Sequence, residues 1–356
     1  MRVRKGFVSI ALQKMKRLEL QWVFRQGKKY RDIKRALRRK DGIALCGPII
    51  AHFFCTRQCN LKCPMCDIPN RKVESKEINR TQGFRILDEL AELGVSGVSF
   101  TGGEPLLRSD IFDFIRHARA LDMETILVTN GIKLCELGSE VVAAGPDVVN
   151  VSIDGSTSEI HDKSRGVKGA FERTVKGVRT LKRLIVRHGS DMQIVASTVL
   201  SQDNVGDLEN IIGLCRDIGV SRVIICPLHE FRGDFCKVSP VKAGFDIQNH
   251  LLGHKERSFI DNSDRYLSHL NDVLCGEPPP SGCNAGYTTL VIDYEGNVYP
   301  CKCDFENSRS LAGPLSENLS VKDVWYSGAF NEFRRKCGLC RRCYLTVNRE
   351  FDGLFE

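Results

Sequence analysis

One stretch of twelve residues contains four cysteines, Cys55, Cys59, Cys63 and Cys66. The last three have the spacing C-x3-C-x2-C, which lets one loop direct three thiolates at three corners of a cubane cluster. Soft thiolate ligands favour iron–sulfur clusters or zinc. A structural site normally has a fourth protein ligand, so three thiolates indicate a metal centre with one position open for chemistry. The alternative is a structural zinc site or a set of buried cysteines.

A second group of cysteines lies in the last third of the sequence. Cys283 and Cys301 flank a predicted β-hairpin over residues 288–299, and such a hairpin brings its two ends together. Three further cysteines follow at C-x2-C-x2-C spacing: Cys337, Cys340 and Cys343. This group predicts a second metal site, which holds either an iron–sulfur cluster or a structural zinc ion.

The elements that must position the first cysteine group begin at residue 49. Six β-rich runs alternate there with amphipathic helical patterns, which predicts parallel βα units wound right-handedly. The runs are 49–56, 95–101, 123–129, 147–154, 191–200 and 221–228, and the helices are 82–93, 110–121, 136–144, 170–185 and 205–218. Ligand-binding groups on such a sheet gather at the C-terminal ends of the strands, where the first cysteine group also lies.

Polar residues and glycines follow the next three β-rich runs at the same predicted edge. A pair of glycines allows the backbone to approach a ligand closely and to present its polar groups. The residues are Gly102, Gly103 and Glu104 after the second run, Thr129 and Asn130 at the third, and Ser152 and Asp154 at the fourth.

The composition excludes a disulfide scaffold. The chain has 356 residues and 16 cysteines, and its first 25 residues do not form a signal peptide because Lys14, Lys16 and Arg17 interrupt any apolar segment. Cysteine enrichment without a secretory signal indicates metal clusters in a reducing compartment. No run of about 18 apolar residues is present. We therefore expect a cytoplasmic protein.

The net charge of +8 is located in one segment. Residues 1–41 contain 15 Lys and Arg against 3 acidic residues, or +12, which leaves 37 basic and 41 acidic groups, or −4, for the rest. Residues 7–24 have apolar side chains at helical spacing, including Trp22. A basic amphipathic helix of this kind is typical of a membrane-surface or partner-binding element. The alternatives are a helix packed on the body of the protein and a nucleic-acid-binding arm.

Together, these motifs resemble those of the radical S-adenosylmethionine (radical SAM) superfamily, whose signature is the spacing of Cys59, Cys63 and Cys66. The resemblance implies a partial (β/α)6 TIM-type barrel. It also implies that the three thiolates hold a [4Fe–4S] cluster whose open iron binds S-adenosylmethionine (SAM). In that family a Gly-Gly-Glu motif, here Gly102 to Glu104, binds the amino group of SAM, and Glu104 complements its charge if the side chain points inward.

The resemblance also implies roles for other residues near SAM. Thr129 and Asn130 lie near the cofactor, and Ser152 and Asp154 offer hydrogen bonds to its ribose or carboxylate. Arg165, in a sequence pattern that also contains His161, is a bidentate partner for the methionine carboxylate. Met65 occupies the position before the last cysteine, where the family usually has an aromatic residue. We expect its main chain to contact the adenine.

The C-terminal cysteines resemble the auxiliary-cluster extension called the SPASM or twitch domain. The chain lacks the longer C-x2-C-x5-C-x3-C segment of a full SPASM domain, so the single-cluster twitch form fits better. The expected ligands are Cys283, Cys301, Cys337 and Cys340. The residues that could replace one of them are Cys343, Cys303 and Cys275. Cys226, at the end of the sixth run, is expected to be a small buried hydrophobic residue.

We expect four segments, of which the resemblance covers the second and the fourth and leaves residues 1–48 unexplained. They are a basic amphipathic arm over 1–48, the radical SAM core over 49–230, a helical connection over 231–280 with helices near 242–253 and 264–274, and the auxiliary-cluster domain over 281–356, with a β-hairpin and a helix over 321–335.

The implied chemistry starts with reduction of the SAM-bound cluster by a donor such as flavodoxin or ferredoxin. Cleavage of SAM then gives a 5′-deoxyadenosyl radical, which removes hydrogen from an unactivated carbon. The auxiliary cluster accepts an electron from the substrate radical, which favours net oxidation or bond formation. The motifs do not identify a catalytic acid or base.

The sequence identifies the substrate least well. Peptide-modifying members usually carry a leader-binding domain of roughly eighty residues before the barrel, and the 48 residues here are short and basic. We therefore expect a small molecule or a lipid reached from the inner membrane surface. The alternative is a maturase of a ribosomal peptide. A distant alternative, a non-enzymatic zinc-stabilised protein that binds nucleic acid, gives no role to the Gly-Gly-Glu motif.

Overall fold

A computed structural model describes residues 20–70, 76–232, 235–242, 244–306, 309–352 and 355. The predicted helix over residues 7–24 falls mostly outside these residues. No helix within the described residues is both long enough and apolar enough to cross a membrane.

The six predicted strands form one parallel, unclosed sheet with helices between them. The fold is therefore the partial (β/α)6 barrel that the sequence predicts. The strands are β1 (Ile50–Thr56), β2 (Gly97–Gly102), β3 (Glu124–Thr129), β4 (Val148–Ser152), β5 (Gln193–Leu200) and β6 (Arg222–Pro227).

One helix precedes β1, and the other helices lie between the strands or after them. They are α1 (Leu20–Arg39), α2 (Arg80–Glu92), α3 (Ile111–Ala120), α4 (Leu134–Ala144), α5 (Ser158–Arg165), α6 (Ala170–Arg187), α7 (Leu208–Asp217), α8 (Ile247–Leu252), α9 (Asp264–Leu267), α10 (Leu270–Leu274), α11 (Ala285–Thr288), α12 (Lys302–Glu306), α13 (Val321–Trp325), α14 (Gly328–Cys337) and α15 (Thr346–Asp352). Short 3-10 turns cover Ile68–Asn70, Pro105–Leu107, Val205–Asp207 and Arg257–Phe259.

The core lies between the sheet and its helices. Val98, Phe100, Leu127 and Val149 on the strands are fully buried and belong to the same apolar cluster as residues of α2, α3 and α6. At one place Phe53 stacks on Phe114 of α3, with ring centroids 5.9 Å apart. This packing fixes the C-terminal ends of the strands, which carry the candidate site.

The predicted C-terminal hairpin is present, and it extends the barrel sheet. Its strands are β9 (Thr289–Ile292) and β10 (Val298–Tyr299), and β9 pairs in parallel with β1. The sheet therefore has the order β10-β9-β1-β2-β3-β4-β5-β6. The sequence predicted the hairpin but not its position in the sheet, because local patterns do not show which strand edge a hairpin will join.

Two other elements differ from the prediction. The connection after β6 begins with a second antiparallel hairpin, β7 (His229–Arg232) and β8 (Phe235–Val238). The helix predicted over 321–335 is divided into α13 and α14, because Ser327 accepts a hydrogen bond from the backbone N–H of Phe330 and so begins a new helix.

The described part of the basic N-terminal segment packs on the body of the protein. Ile33 and Ala36 of α1 are buried in a cluster with Tyr287 and with Phe351 and Phe355 near the C-terminus. The apolar face of this part of the helix is thus covered by protein, as in the packed-helix alternative, and is not presented to a bilayer.

Candidate active site

The loop after β1 carries the three cysteines of the C-x3-C-x2-C motif. Cys59, Cys63 and Cys66 are half-buried, and all three line a cavity of about 250 Å³ at the C-terminal ends of the strands. Cys66 N–H donates to the Cys63 carbonyl at 3.0 Å, which closes a tight turn between two of the thiols. Cys55 is excluded from this set, because its buried thiol donates to the Thr101 carbonyl at 3.1 Å and burial raises its pKa to about 12.

Gly102 and Gly103 let the end of β2 lie directly against the cysteine loop. The backbone N–H of Gly103 donates to the Thr56 carbonyl, and that of Glu104 to the Gln58 carbonyl, both at 2.7 Å. A Cβ atom on Gly102 would collide with the carbonyl oxygen of Thr56, and one on Gly103 with that of Gln58. Gly102 also has a φ of +139°, which side chains disfavour. Both glycines line the cavity.

The Glu104 side chain is buried and is not among the residues that line the cavity, so its expected charge contact with SAM stays a prediction. One carboxylate oxygen accepts hydrogen bonds from Leu106 N–H at 3.1 Å and the Thr129 hydroxyl at 2.8 Å. The other accepts from Asn130 N–H at 2.8 Å. Burial raises the pKa of this carboxyl to about 7. Glu104 therefore joins the ends of β2 and β3 instead of lining the cavity.

The ends of β3 and β4 supply polar atoms to the cavity wall. Thr129, Asn130 and Ser152 line it. The Asn130 side-chain amide also donates to the side-chain oxygen of Asn60 at 2.7 Å. This bond connects the third strand with the cysteine loop, so Asn130 both lines the cavity and positions the loop.

Asp154 is fully buried and is not among the residues that line the cavity, so its expected contact with ribose or carboxylate stays a prediction. It accepts hydrogen bonds from the Ser164 hydroxyl at 2.8 Å and from Val199 N–H at 2.9 Å. One of its oxygens also lies 2.6 Å from Nη2 of Arg165. Asp154 therefore holds Arg165 in place.

Arg165 lines the cavity with part of its guanidinium uncommitted. Its Nε and Nη2 atoms are buried and have no hydrogen-bond acceptor among the described residues, because the contact with Asp154 is an ion pair without hydrogen-bond alignment. Buried donors normally have acceptors. These atoms therefore fit the carboxylate of a bound ligand.

The end of α5 supports the cysteine loop from the opposite side. Lys62 N–H donates to the Arg165 carbonyl at 3.2 Å. Gly166 follows with a φ of +69°, and a Cβ atom there would collide with the Lys62 carbonyl. His161, expected to be a surface residue when considered alone, is buried beside Asp154, and burial lowers its pKa to about 4.

One wall of the cavity was missing from the sequence analysis. It is formed by Cys226, Leu228, His229, Lys302 and Leu345. Cys226 was expected to be a buried hydrophobic residue, but it lies on the cavity wall and also packs against the C-terminal cysteines. Only its place at the end of β6 could have indicated this role. Met65 lines the cavity as expected.

The C-terminal cysteines form one buried group. Its core members include Cys283, Cys301, Cys303, Cys337 and Cys343, and Cys340 packs against them.

Backbone contacts hold this group together. The Cys337 thiol donates to the Cys283 carbonyl at 2.7 Å. Cys275 is exposed and lies outside the group, so it is not a suitable substitute ligand, whereas Cys303 is. Burial raises the pKa of the Cys301 thiol. A dense set of buried soft donors fits an iron–sulfur cluster.

The amino-acid sequence matches two families. Residues 53–215 match the radical SAM superfamily, and residues 283–344 match SPASM, an iron–sulfur cluster-binding domain. The two matches contain the two cysteine groups.

Characterised relatives align with most of the chain. An AdoMet-dependent heme synthase of Oleidesulfovibrio alaskensis is 32% identical over 316 residues, covering 80% of this chain and 78% of that protein. The mycofactocin maturase MftC of Mycolicibacterium smegmatis is 29% identical over 315 residues, covering 83% and 75%. A PqqA peptide cyclase of Ruegeria pomeroyi is 27% identical over 318 residues, covering 84% and 80%.

Solved structures confirm the fold. Streptococcus suis SuiB has a TM-score of 0.63 at 18% identity and covers 88% of this chain and 74% of its own. With these matches, the cofactors are SAM, the [4Fe–4S] cluster that binds it, and auxiliary iron–sulfur chemistry in the C-terminal region. The chain is an enzyme of the radical SAM superfamily with a C-terminal SPASM-type iron–sulfur domain.

Proposed function

We propose that this enzyme is a maturase that modifies a peptide by radical chemistry. The observation that carries the proposal is the similarity to a mycofactocin maturase and to a PqqA peptide cyclase over more than four fifths of the chain. It replaces the small molecule or lipid as the leading substrate. A small molecule is the second candidate, because the chain is 32% identical to an AdoMet-dependent heme synthase. A lipid has no counterpart among these relatives.

Cys59, Cys63 and Cys66 are the proposed ligands of the SAM-binding cluster. Their thiols face the cavity together, and the turn from Cys63 to Cys66 fixes their spacing. When bound, the cluster and SAM supply one-electron chemistry that removes hydrogen from an unactivated carbon. The proposed electron donor is flavodoxin or ferredoxin.

The surrounding strand ends orient SAM. The Arg165 guanidinium, whose Nε has no acceptor among the described residues, suits the methionine carboxylate, and the ion pair of Nη2 with Asp154 limits its movement. Gly102 and Gly103 bring the main chain to the cavity wall, where it is proposed to contact the amino group of SAM. Thr129, Asn130 and Ser152 add side-chain oxygens or amides to the same wall.

Cys283, Cys301, Cys337 and Cys340 are the proposed ligands of the auxiliary cluster. Cys303 and Cys343 lie in the same buried group and are the alternative ligands. Cys226 lies on the wall between this group and the cavity. That arrangement supports an auxiliary site close to the bound substrate, and net oxidation or bond formation is the proposed outcome.

The apolar part of the wall would exclude water from a reacting peptide. Pro227, Leu228 and Leu345 face the cavity opposite the cysteine loop. Water exclusion limits side reactions of a radical and strengthens the electrostatic contacts within the site.

The test uses the anaerobically purified holoenzyme with dithionite, SAM and the short peptides encoded beside its gene. We expect 5′-deoxyadenosine release together with a change of mass in one peptide. Two matched variants are compared. Cys63→Ser removes a proposed cluster ligand. Cys55→Ser changes a cysteine that does not line the cavity, and its hydroxyl can still donate to the Thr101 carbonyl. Only Cys63→Ser should abolish both products.

A second arm supplies an iron porphyrin as a small-molecule probe, chosen because of the similarity to an AdoMet-dependent heme synthase. If SAM is cleaved while no peptide changes mass and the porphyrin is consumed, the peptide proposal is wrong and the second candidate replaces it. If Cys63→Ser retains SAM cleavage, the assigned cluster site is wrong.

A further inference from the structure

The charges of the cavity wall are unbalanced. Two cationic side chains, Arg165 and Lys302, line the cavity, and the described residues that line it include no Asp or Glu. Arg165 has Asp154 behind it at 2.6 Å. Lys302 lies between the auxiliary cysteines Cys301 and Cys303, at the start of α12.

Within the described residues, Lys302 makes no hydrogen bond and no ion pair. The nearest acid on its own helix, Asp304, pairs with Arg309 at 3.2 Å. Lys302 is half-buried at the wall. An ammonium group removed from water without a counter-ion is unfavourable. A negative charge on a molecule bound in the cavity would therefore stabilise the ammonium group of Lys302.

The polar neighbours of Lys302 do not supply that charge. Lys302 interacts electrostatically with His229 and Cys226 on the wall. His229 accepts a hydrogen bond on Nε2 from Tyr344 N–H at 2.9 Å, and burial lowers its pKa to about 3, so it is neutral. Lys302 is thus the charged group on this wall.

We propose that Lys302 binds a carboxylate of the substrate and so selects substrates that carry one near the reacting carbon. This inference rests on the proposed function for the location of the substrate, but it applies to a peptide and to a small acid alike. Lysine suits the role because its ammonium is a compact charge with three donors on a flexible stem. Arg165, which also lines the cavity, would hold the carboxylate of SAM, so each cation would bind one carboxylate.

The experiment uses a matched pair of probes, the α-carboxamides of N-acetylglutamate and N-acetylglutamine, which differ only in a side-chain carboxylate and a side-chain amide, so that the second probe carries no carboxylate. Binding of each is measured by calorimetry on the anaerobic holoenzyme with SAM present. A charge-assisted hydrogen bond should make the glutamate probe bind at least about tenfold more tightly. Lys302→Met should remove this preference, and Lys302→Arg should retain most of it. Lys242→Met, at an exposed position outside the cavity, is the control.

Three results would overturn the inference. The first is equal binding of the two probes to the unmodified enzyme. The second is a preference that survives in Lys302→Met. The third is a change in Lys302→Met of the iron content or the reduction potential of the auxiliary site with no change in probe preference, which would make Lys302 a counter-charge for the cysteines. Substrate-free 5′-deoxyadenosine release tests the radical SAM centre separately, and failure to modify any peptide leaves the probe result intact.

Discussion

The carboxyl group of Glu104 is buried between the ends of β2 and β3. Its pKa is raised from 4.5 to about 7 by burial, even though three donors point at it. The folded protein therefore binds more protons than the unfolded chain between these pH values. The free energy of unfolding is greatest at the lower pH and falls as pH rises toward 7, by roughly 3 kcal/mol in all.

Glu104→Gln should remove this pH dependence, because an amide does not titrate. We expect the variant to gain stability relative to the unmodified enzyme as pH rises from about 5 to about 8. Thermal unfolding midpoints of the anaerobic holoenzymes across that range provide the measurement. Glu136→Gln, at an exposed position on α4, is the control and should follow the unmodified enzyme. A difference between Glu104→Gln and the unmodified enzyme that stays constant with pH would contradict the account.

At the scale of elements, the cysteine loop is held by the parts of the chain around it. The end of β2 fixes its first residues, Asn130 of β3 fixes its middle at Asn60, and the end of α5 fixes Lys62. The loop therefore depends on backbone contacts with elements distant in sequence. A change in one of those elements should disturb the cluster without touching a cysteine.

Gly166→Ala tests this dependence. The new Cβ would collide with the Lys62 carbonyl and push α5 and the cysteine loop apart. Displacements near 1 Å can cost about 10²-fold in rate, so we expect a loss of that order in substrate-free SAM cleavage and less iron in the first cluster.

Gly169→Ala is the matched control for the effect of the positive φ. Gly169 has a φ of +75°, close to the +69° of Gly166, but nothing lies within 4 Å of its Cβ position. Both variants carry a backbone penalty of about 1–2 kcal/mol, and only Gly166→Ala should lose SAM cleavage. Equal losses in the two would mean that backbone strain, and not the collision, is responsible.

The same contacts show where sequence reasoning succeeds. Hydrophobic periodicity predicted all six barrel strands, since each strand is a buried run between turns, and the spacing of Cys59, Cys63 and Cys66 identified the loop. The direction in which Glu104 and Asp154 point was not predictable, because it depends on partners such as Asn130 that are distant in sequence. Lys302 was missed for the same reason: no local pattern shows that α12 begins at the cavity.

At the scale of the whole molecule, one sheet joins the two cysteine groups. Ile50 of β1 pairs with Thr289 of β9, so the strand that leads to the first cysteine loop is next to the hairpin that leads to Cys301. This continuity explains how the auxiliary cysteines come to pack against Cys226, which lies on the cavity wall. The substrate is a separate question. The length and charge of the N-terminal segment pointed to a small molecule or lipid, whereas the relatives favour a peptide.

In the C-terminal cysteine group, the backbone at Cys283 is in direct contact with the backbone at Cys337. Cys283 N–H donates to the Cys337 carbonyl at 3.3 Å, and Gly282 lies so close that a Cβ atom there would collide with the carbonyl oxygen of Gly338. Gly282→Ala should separate the segments and remove the auxiliary cluster. If one auxiliary [4Fe–4S] cluster is present, iron should fall from about eight to about four per chain.

Gly338→Ala is the control on the other side of this contact. Gly338 has helical dihedral angles, φ −59° and ψ −18°, and nothing lies near its Cβ position, so alanine fits there. Because the cysteine loop is held by contacts of its own, Gly282→Ala should retain substrate-free SAM cleavage while losing auxiliary iron. Full iron in Gly282→Ala would show that the close approach is not needed for the auxiliary site. Loss of both clusters together would show that the shared sheet makes the two sites one cooperative unit.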